Sequence, residues 1–135
     1  MSIIPQVNQP SGSLKINLFS FGFKHGQPDA DMVWDVRFLP NPYWDEGLKS
    51  FTGLDERISR YVLDNEKGGK FLELLDPLVL FLAQSFSDSN REEVRLAIGC
   101  TGGKHRSVAV TVHLARLLSV NGLQIEVSHR DITKD

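Results

Sequence analysis

Val94-Arg95-Leu96-Ala97-Ile98-Gly99-Cys100-Thr101-Gly102-Gly103-Lys104-His105-Arg106-Ser107 decides the fold of this chain. Its first five residues are mostly apolar and short in extent, as in a buried strand. Residues 99–106 form a tight polar loop. Apolar residues then recur at helical spacing over 107–120, with Val108, Val112, Ala115 and Leu118 on the buried side. Asn121-Gly122 supplies the left-handed end such a helix needs. Gln124–His129 follows as a strand with Ile125 and Val127 on one face. Strand, loop, helix and strand form a right-handed βαβ unit if the two strands are parallel neighbours.

Upstream, 14–21 alternates apolar and polar residues like a half-buried strand, and Gly22, Gly26 and Pro28 mark a loop. Residues 32–38 are expected as a second strand, buried on both faces and stopped by Pro40-Asn41-Pro42. Asp55 is an N-cap for a helix over Glu56–Leu63. Gly68-Gly69 opens a new segment, and 70–86 is a second helix that Pro77 kinks or restarts. Phe71, Leu74, Leu78 and Phe81 are expected in its core face, with Trp34 and Phe38 in the core from the second strand. The expectation is a small layered α/β domain with a mainly parallel sheet of about four strands flanked by helices, covering 13–135 after a flexible leader over 1–12. Ligands of such folds sit beyond the carboxyl ends of strands.

Bulk properties narrow the function. With 135 residues the chain has room for one core. Hydrophobic residues at 41% and charged residues at 24% place it among globular rather than disordered chains. A net charge of −2 gives no basic field for nucleic acid. The longest apolar stretch, over 72–86, is broken by Glu73, Asp76, Pro77 and Gln84, so no membrane span is expected. One cysteine makes no internal disulfide and fits a reducing cytoplasm. The histidines His25, His105, His113 and His129 lack metal-ligand spacing, so neither a structural metal nor a cofactor is expected.

The loop at 99–107 carries the chemistry. Its glycines free the backbone to turn amide hydrogens inward, and the helix start adds partial positive charge. Thr101 and Ser107 offer hydroxyls, and Lys104, His105 and Arg106 offer cationic donors. Together they suit a phosphate, with Arg106 as the fork. The ligand-binding set is Cys100, Thr101, Gly102, Gly103, Lys104, His105, Arg106 and Ser107, joined by Arg37, Asn41 and Tyr43 after the second strand and by His129 and Arg130 after the last. No Walker A pattern is present. Cys100, Arg106 and Ser107 do match the Cys-x₅-Arg-Ser spacing of cysteine phosphatases, in which a thiolate attacks phosphorus. Gly99 stands where those enzymes place a histidine, and Asp35, Asp45 and Asp131 are the candidates for a general acid.

Longer motifs weigh between binding and catalysis. Residues 20–26 (SFGFKHG), 29–31 (DAD), 35–42 (DVRFLPNP), 52–55 (TGLD) and 98–108 resemble, in order, the C-terminal domain of the RapZ family. That family comprises bacterial RNase adapter proteins also labelled nucleotide-binding, and the likeness runs from Leu14 to about Ile132. The resemblance implies a sensor rather than an enzyme. It implies binding of glucosamine-6-phosphate on a fold similar to the ligand-binding half of phosphofructokinase. It also implies small-RNA binding, contact with an RNase and self-association, here as a homodimer. Tyr43 stands where enterobacterial members carry a pocket histidine. No Walker-type segment precedes the domain in this sequence, so ATP or GTP binding is not expected of it.

Overall fold

The computed structural model describes residues 14–134; the leader expected over 1–12 lies outside them. Four strands, β1 (Lys15–Gly22), β2 (Met32–Asp35), β3 (Glu93–Cys100) and β4 (Gln124–His129), form one sheet in the order β2-β3-β1-β4, and every pairing is parallel. The α/β class and the parallel sheet are therefore as expected. The βαβ condition is not met, because β1 lies between β3 and β4. Gly22 pairs with Cys100 and Asp35 with Gly99, so β1, β2 and β3 end together on one edge, with β4 beside them.

The helices are α1 (Glu56–Leu63), α2 (Glu66–Asp88) and α3 (Arg106–Val120). All three pack on one face, where Ile16 and Leu18 of β1 and Val94, Leu96 and Ile98 of β3 meet Ile58, Val62, Leu75, Val79, Leu80, Val110 and Leu114. The opposite face buries Phe19, Phe21 and Ala97, covered by Phe23, Ala30 and Val33 rather than by an α-helix. Arg95 and Arg130 add guanidinium lids over the Phe19 and Phe21 rings, at 4.9 and 5.6 Å.

Local expectations fail in three places. The second strand stops at Asp35 and is half-buried, because it is an edge strand paired only with β3. Asp35 Oδ1 accepts the Arg37 N–H at 3.0 Å and turns the chain, leaving Phe38 47% exposed instead of in the core. Helix α2 begins before the Gly-Gly pair, since Asn65 Oδ1 accepts the Gly68 N–H at 2.8 Å as an N-cap. It runs on through Pro77, which faces solvent beside an exposed Glu73, so water can take the carbonyl that proline leaves unbonded. The buried face of α2 is Leu75, Val79, Leu80 and Ala83, while Leu74, Leu78 and Phe81 are exposed at 62%, 43% and 59%. Apolar residues over 71–86 fall on more than one side of this helix, and the sheet it meets selects the stripe that is buried. Leu75→Ala should therefore cost about 3 kcal/mol in urea unfolding and Leu74→Ala under about 0.5 kcal/mol. Equal costs would reject this placement of the helix.

Candidate functional site

The segments that follow the four strands enclose a cleft of about 650 Å³ at the carboxyl edge of the sheet: Lys24 after β1, Asn41, Tyr43, Trp44 and Lys49 after β2, the 100–106 loop except Gly103 after β3, and Lys134 after β4. The 100–106 loop is fixed from outside. The Lys24 N–H donates to the Thr101 carbonyl at 3.1 Å and the Gly53 N–H to the Lys104 carbonyl at 2.8 Å. Gly103 has φ +80° and passes so close to β1 that a Cβ would stand 2.6 Å from the Gly22 nitrogen. With carbonyls drawn into these outer bonds, the amides of Thr101, Gly102, Gly103, Lys104 and His105 donate to no other group among the described residues. The first-turn amides of α3 add further unpaired donors.

Arg106 is only 6% exposed and lines this cleft. One arm of its guanidinium is committed, Nη1 donating to the Arg37 carbonyl at 2.6 Å and the Leu39 carbonyl at 3.4 Å. Nη2 reaches Thr101 Oγ1 at 3.5 Å, the limit of a useful bond, and Nε is buried without a partner. No carboxylate pairs with Arg106 among the described residues, so a buried cation stands beside unused amides. The fork expected from the sequence thus has one arm tied to protein.

Of the other expected ligand residues, Cys100, Thr101, Gly102, Lys104, His105, Asn41 and Tyr43 line the cleft. Ser107 lies behind it, fully buried, accepting a bond from Cys100 Sγ at 3.1 Å. Arg37 is outside, paired with Asp35 at 2.7 Å and stacked 4.1 Å from the Phe23 ring centre. His129 Nδ1 is bonded to Ser20 Oγ at 2.7 Å, and Arg130 is engaged by Asp131 at 2.8 Å and the Gly26 carbonyl at 2.7 Å. His25 is half-buried outside the lining. His105 is no cationic donor: burial pushes its pKa down against the bonds to the Lys49 and Phe51 carbonyls, and its ring meets the Lys49 carbonyl at 3.0 Å. Gly99 has no room for a side chain, since a Cβ would overlap the Phe21 ring and stand 2.7 Å from the Phe23 ring.

The acids proposed for phosphatase chemistry sit elsewhere. Asp35 is held below the usual carboxylate range by Arg37, and Asp45 accepts the Gly47 N–H at 2.9 Å. Asp131 is fully buried. Burial alone would raise its pKa, but Arg130, the Gly22 N–H at 2.7 Å and Lys134 at 2.7 Å together drive it far down. It pins the end of β1 to the segment after β4. Sequence inspection missed this anchor, and missed Lys24, Lys49 and Lys134 as lining residues; Trp44, which the sequence left open between walling the pocket and a dimer contact, lines it. The SFGFKHG motif was a signal for Lys24; nothing local marked Lys134.

These groups set the acid response. His105 and His129 have pKa values lowered by burial, so the unfolded chain binds protons first as pH falls below about 6.5, and stability drops there. Asp131 protonates in the unfolded chain below about pH 4, adding a second loss. Tm should be flat above pH 7 and fall in these two stages. Asp31, Asp35 and Asp55, held low by arginine partners, share the lower stage, so Asp131→Asn should shrink it, and an unchanged profile would contradict the anchor.

The family model for the RapZ C-terminal domain matches residues 14–133. The chain belongs to the RapZ C-terminal domain family. Proteins named as nucleotide-binding from Bacillus thuringiensis (strain Al Hakam), Bacillus mycoides (strain KBAB4) and Bacillus cereus (strain B4264) are each 47% identical to it over 123 residues. That alignment takes in 90% of this chain but 42% of each relative, so the chain spans less than half the length of the curated relatives it matches. In this RapZ-type domain no described helix is long and apolar enough to cross a membrane.

Proposed function

We propose that the domain over 13–135 is a cytoplasmic binding module for a small phosphorylated metabolite, a sugar phosphate or a nucleotide, whose occupancy is read by a partner. The observation that carries this is Arg106, a buried cation with no ion pair among the described residues, at a cleft whose loop amides are unspent. A phosphate would supply the missing counter-charge and accept from those amides. Tyr43 and Trp44, 52% and 79% exposed at the cleft, offer flat apolar surface for a sugar or base. Thermal-shift titration with glucose 6-phosphate, glucosamine 6-phosphate, inorganic phosphate and nucleoside phosphates tests it. At ~100 times the dissociation constant a true ligand adds ~2.7 kcal/mol. No shift with any of them would remove the proposal.

One contact favours a second reading: Cys100 lines the same cleft with its sulfur bonded to Ser107. Catalysis would have the Cys100 thiol lose its proton to solvent and its sulfur attack phosphorus as the P–O bond to the leaving group breaks, with water then cleaving the S–P bond. No carboxyl group among the described residues lines the cleft to protonate a departing alcohol. Only an activated aryl phosphate, whose phenolate leaves unaided, should turn over, and Cys100→Ser should abolish that turnover. A wild-type chain inert toward it ends this reading.

A further inference from the structure

Helix α2 turns a second apolar stripe away from the sheet. Phe71, Leu74, Leu78 and Phe81 recur along it at alternating steps of three and four residues, the repeat of a seam between two paired helices. Leu74, Leu78 and Phe81 are exposed, and Phe71 is half-buried. At the amino end of the stripe lies a groove of about 600 Å³, lined by Phe38, Glu66, Lys67, Lys70, Phe71 and Leu74. Positions 67, 70, 71 and 74 stand at i, i+3, i+4 and i+7, the four-residue hole that receives one side chain from a facing helix. Phe38 walls one side of it, edge-on to Phe71 with ring centres 4.9 Å apart.

The side chain that fits this hole is carried by the same helix. Phe81 projects from α2 ten residues beyond Phe71, ~15 Å along the axis. A hole and a knob on one helix complement each other across a twofold axis. An antiparallel second copy of α2, with the axis beside Asp76, sets the partner's Phe81 on Phe71 and the partner's Leu78 on Leu74. The same two layers then recur on the other side of the axis. The ends of the stripe also match in charge. Lys67 donates to the Phe38 carbonyl at 3.4 Å and Asp88 accepts from Gln84 at 2.8 Å, but neither has an ion pair among the described residues. Side chains on a helix lean toward its amino end, which carries Lys67 toward the partner's Asp88. We infer that two copies of this chain associate through α2, antiparallel, with each Phe81 seated in the other's groove. The cleft plays no part in this, so no ligand is needed to test it.

Sedimentation velocity of the full chain, from roughly 1 µM to roughly 1 mM, should show a reversible monomer–dimer equilibrium with a midpoint on the order of 10 µM, toward the weak end for protein interfaces. Phe81→Glu and Leu74→Glu should each weaken it at least about a hundredfold. Circular dichroism should stay unchanged, because both side chains project into solvent in the single chain. Lys67→Glu and Asp88→Lys should each weaken it about threefold or more, and the two together should restore it. A parallel pairing would not be restored, since it sets each residue beside its own copy. Val120→Glu, at an exposed apolar position on α3, is the control and should leave the equilibrium unchanged. A chain monomeric over the whole range overturns the inference. So does a dimer that ignores Phe81→Glu, one that Val120→Glu abolishes, or one that the double exchange fails to restore.

Discussion

Gly103→Ala is expected to lower stability by about 3 kcal/mol, and the melting temperature by roughly 10 °C. Two effects combine. The backbone at Gly103 has φ +80°, a conformation that costs an L-residue about 1–2 kcal/mol. The added methyl would also stand 2.6 Å from the Gly22 nitrogen, 2.8 Å from the Phe21 carbonyl carbon and 3.0 Å from Asp131 Cβ. The first two are backbone atoms of a central strand and cannot rotate away. Gly102→Ala is the control, because a Cβ there meets nothing within 4 Å. Its unfolding free energy should change by under about 1 kcal/mol. Chemical denaturation of both variants checks the contrast, and a stable Gly103→Ala would mean that the loop does not pass against β1 as described.

Arg106→Met should weaken phosphate binding by about a hundredfold, near 3 kcal/mol. The guanidinium is the one buried charge in the cleft, so its field is the least screened by water. Its effect on the unliganded protein is a balance. The carbonyls of Arg37 and Leu39 lose a donor, which costs on the order of 1–3 kcal/mol, while a buried cation without a counter-ion is removed. The unliganded melting temperature should therefore move less than the ligand-induced shift that disappears. Titration calorimetry with inorganic phosphate, alongside melting curves without ligand, measures both. Wild-type affinity in Arg106→Met would show that the amides alone hold the anion.

Much of this could be read in the sequence because it depends on neighbours along the chain. The strand–loop–helix run at 94–120 needs only local pattern, and α3 begins at Arg106, one residue from its expected start. The cap at Asp55 is equally local, its Oδ1 accepting the Arg57 N–H at 2.9 Å. Properties that depend on distant partners were hidden. Which stripe of α2 is buried depends on the sheet. The pairings of Arg37 with Asp35 and of Arg130 with Asp131 are local, and an Asp35–Arg37 ion pair was open from the sequence; what order along the chain left undecided is that neither guanidinium lines the cleft. Lys134 enters the cleft because β4 lies beside β1, a fact of topology rather than of composition.

The position of β1 has a consequence for how the molecule is made. Its residue Lys15 is registered against Glu93 on one side and Gln124 on the other, so neither neighbour exists until most of the chain has been synthesised. A nascent chain halted before β3 holds an apolar strand with both edges bare, and Gly22 waits for Cys100 before the cradle can close. Pairings this distant in sequence form late and slow the search for the native state. Loss of the segment after β4 would unpin the end of β1 from the outside, so the stretch around Asp131 is the latch for a strand more than a hundred residues earlier.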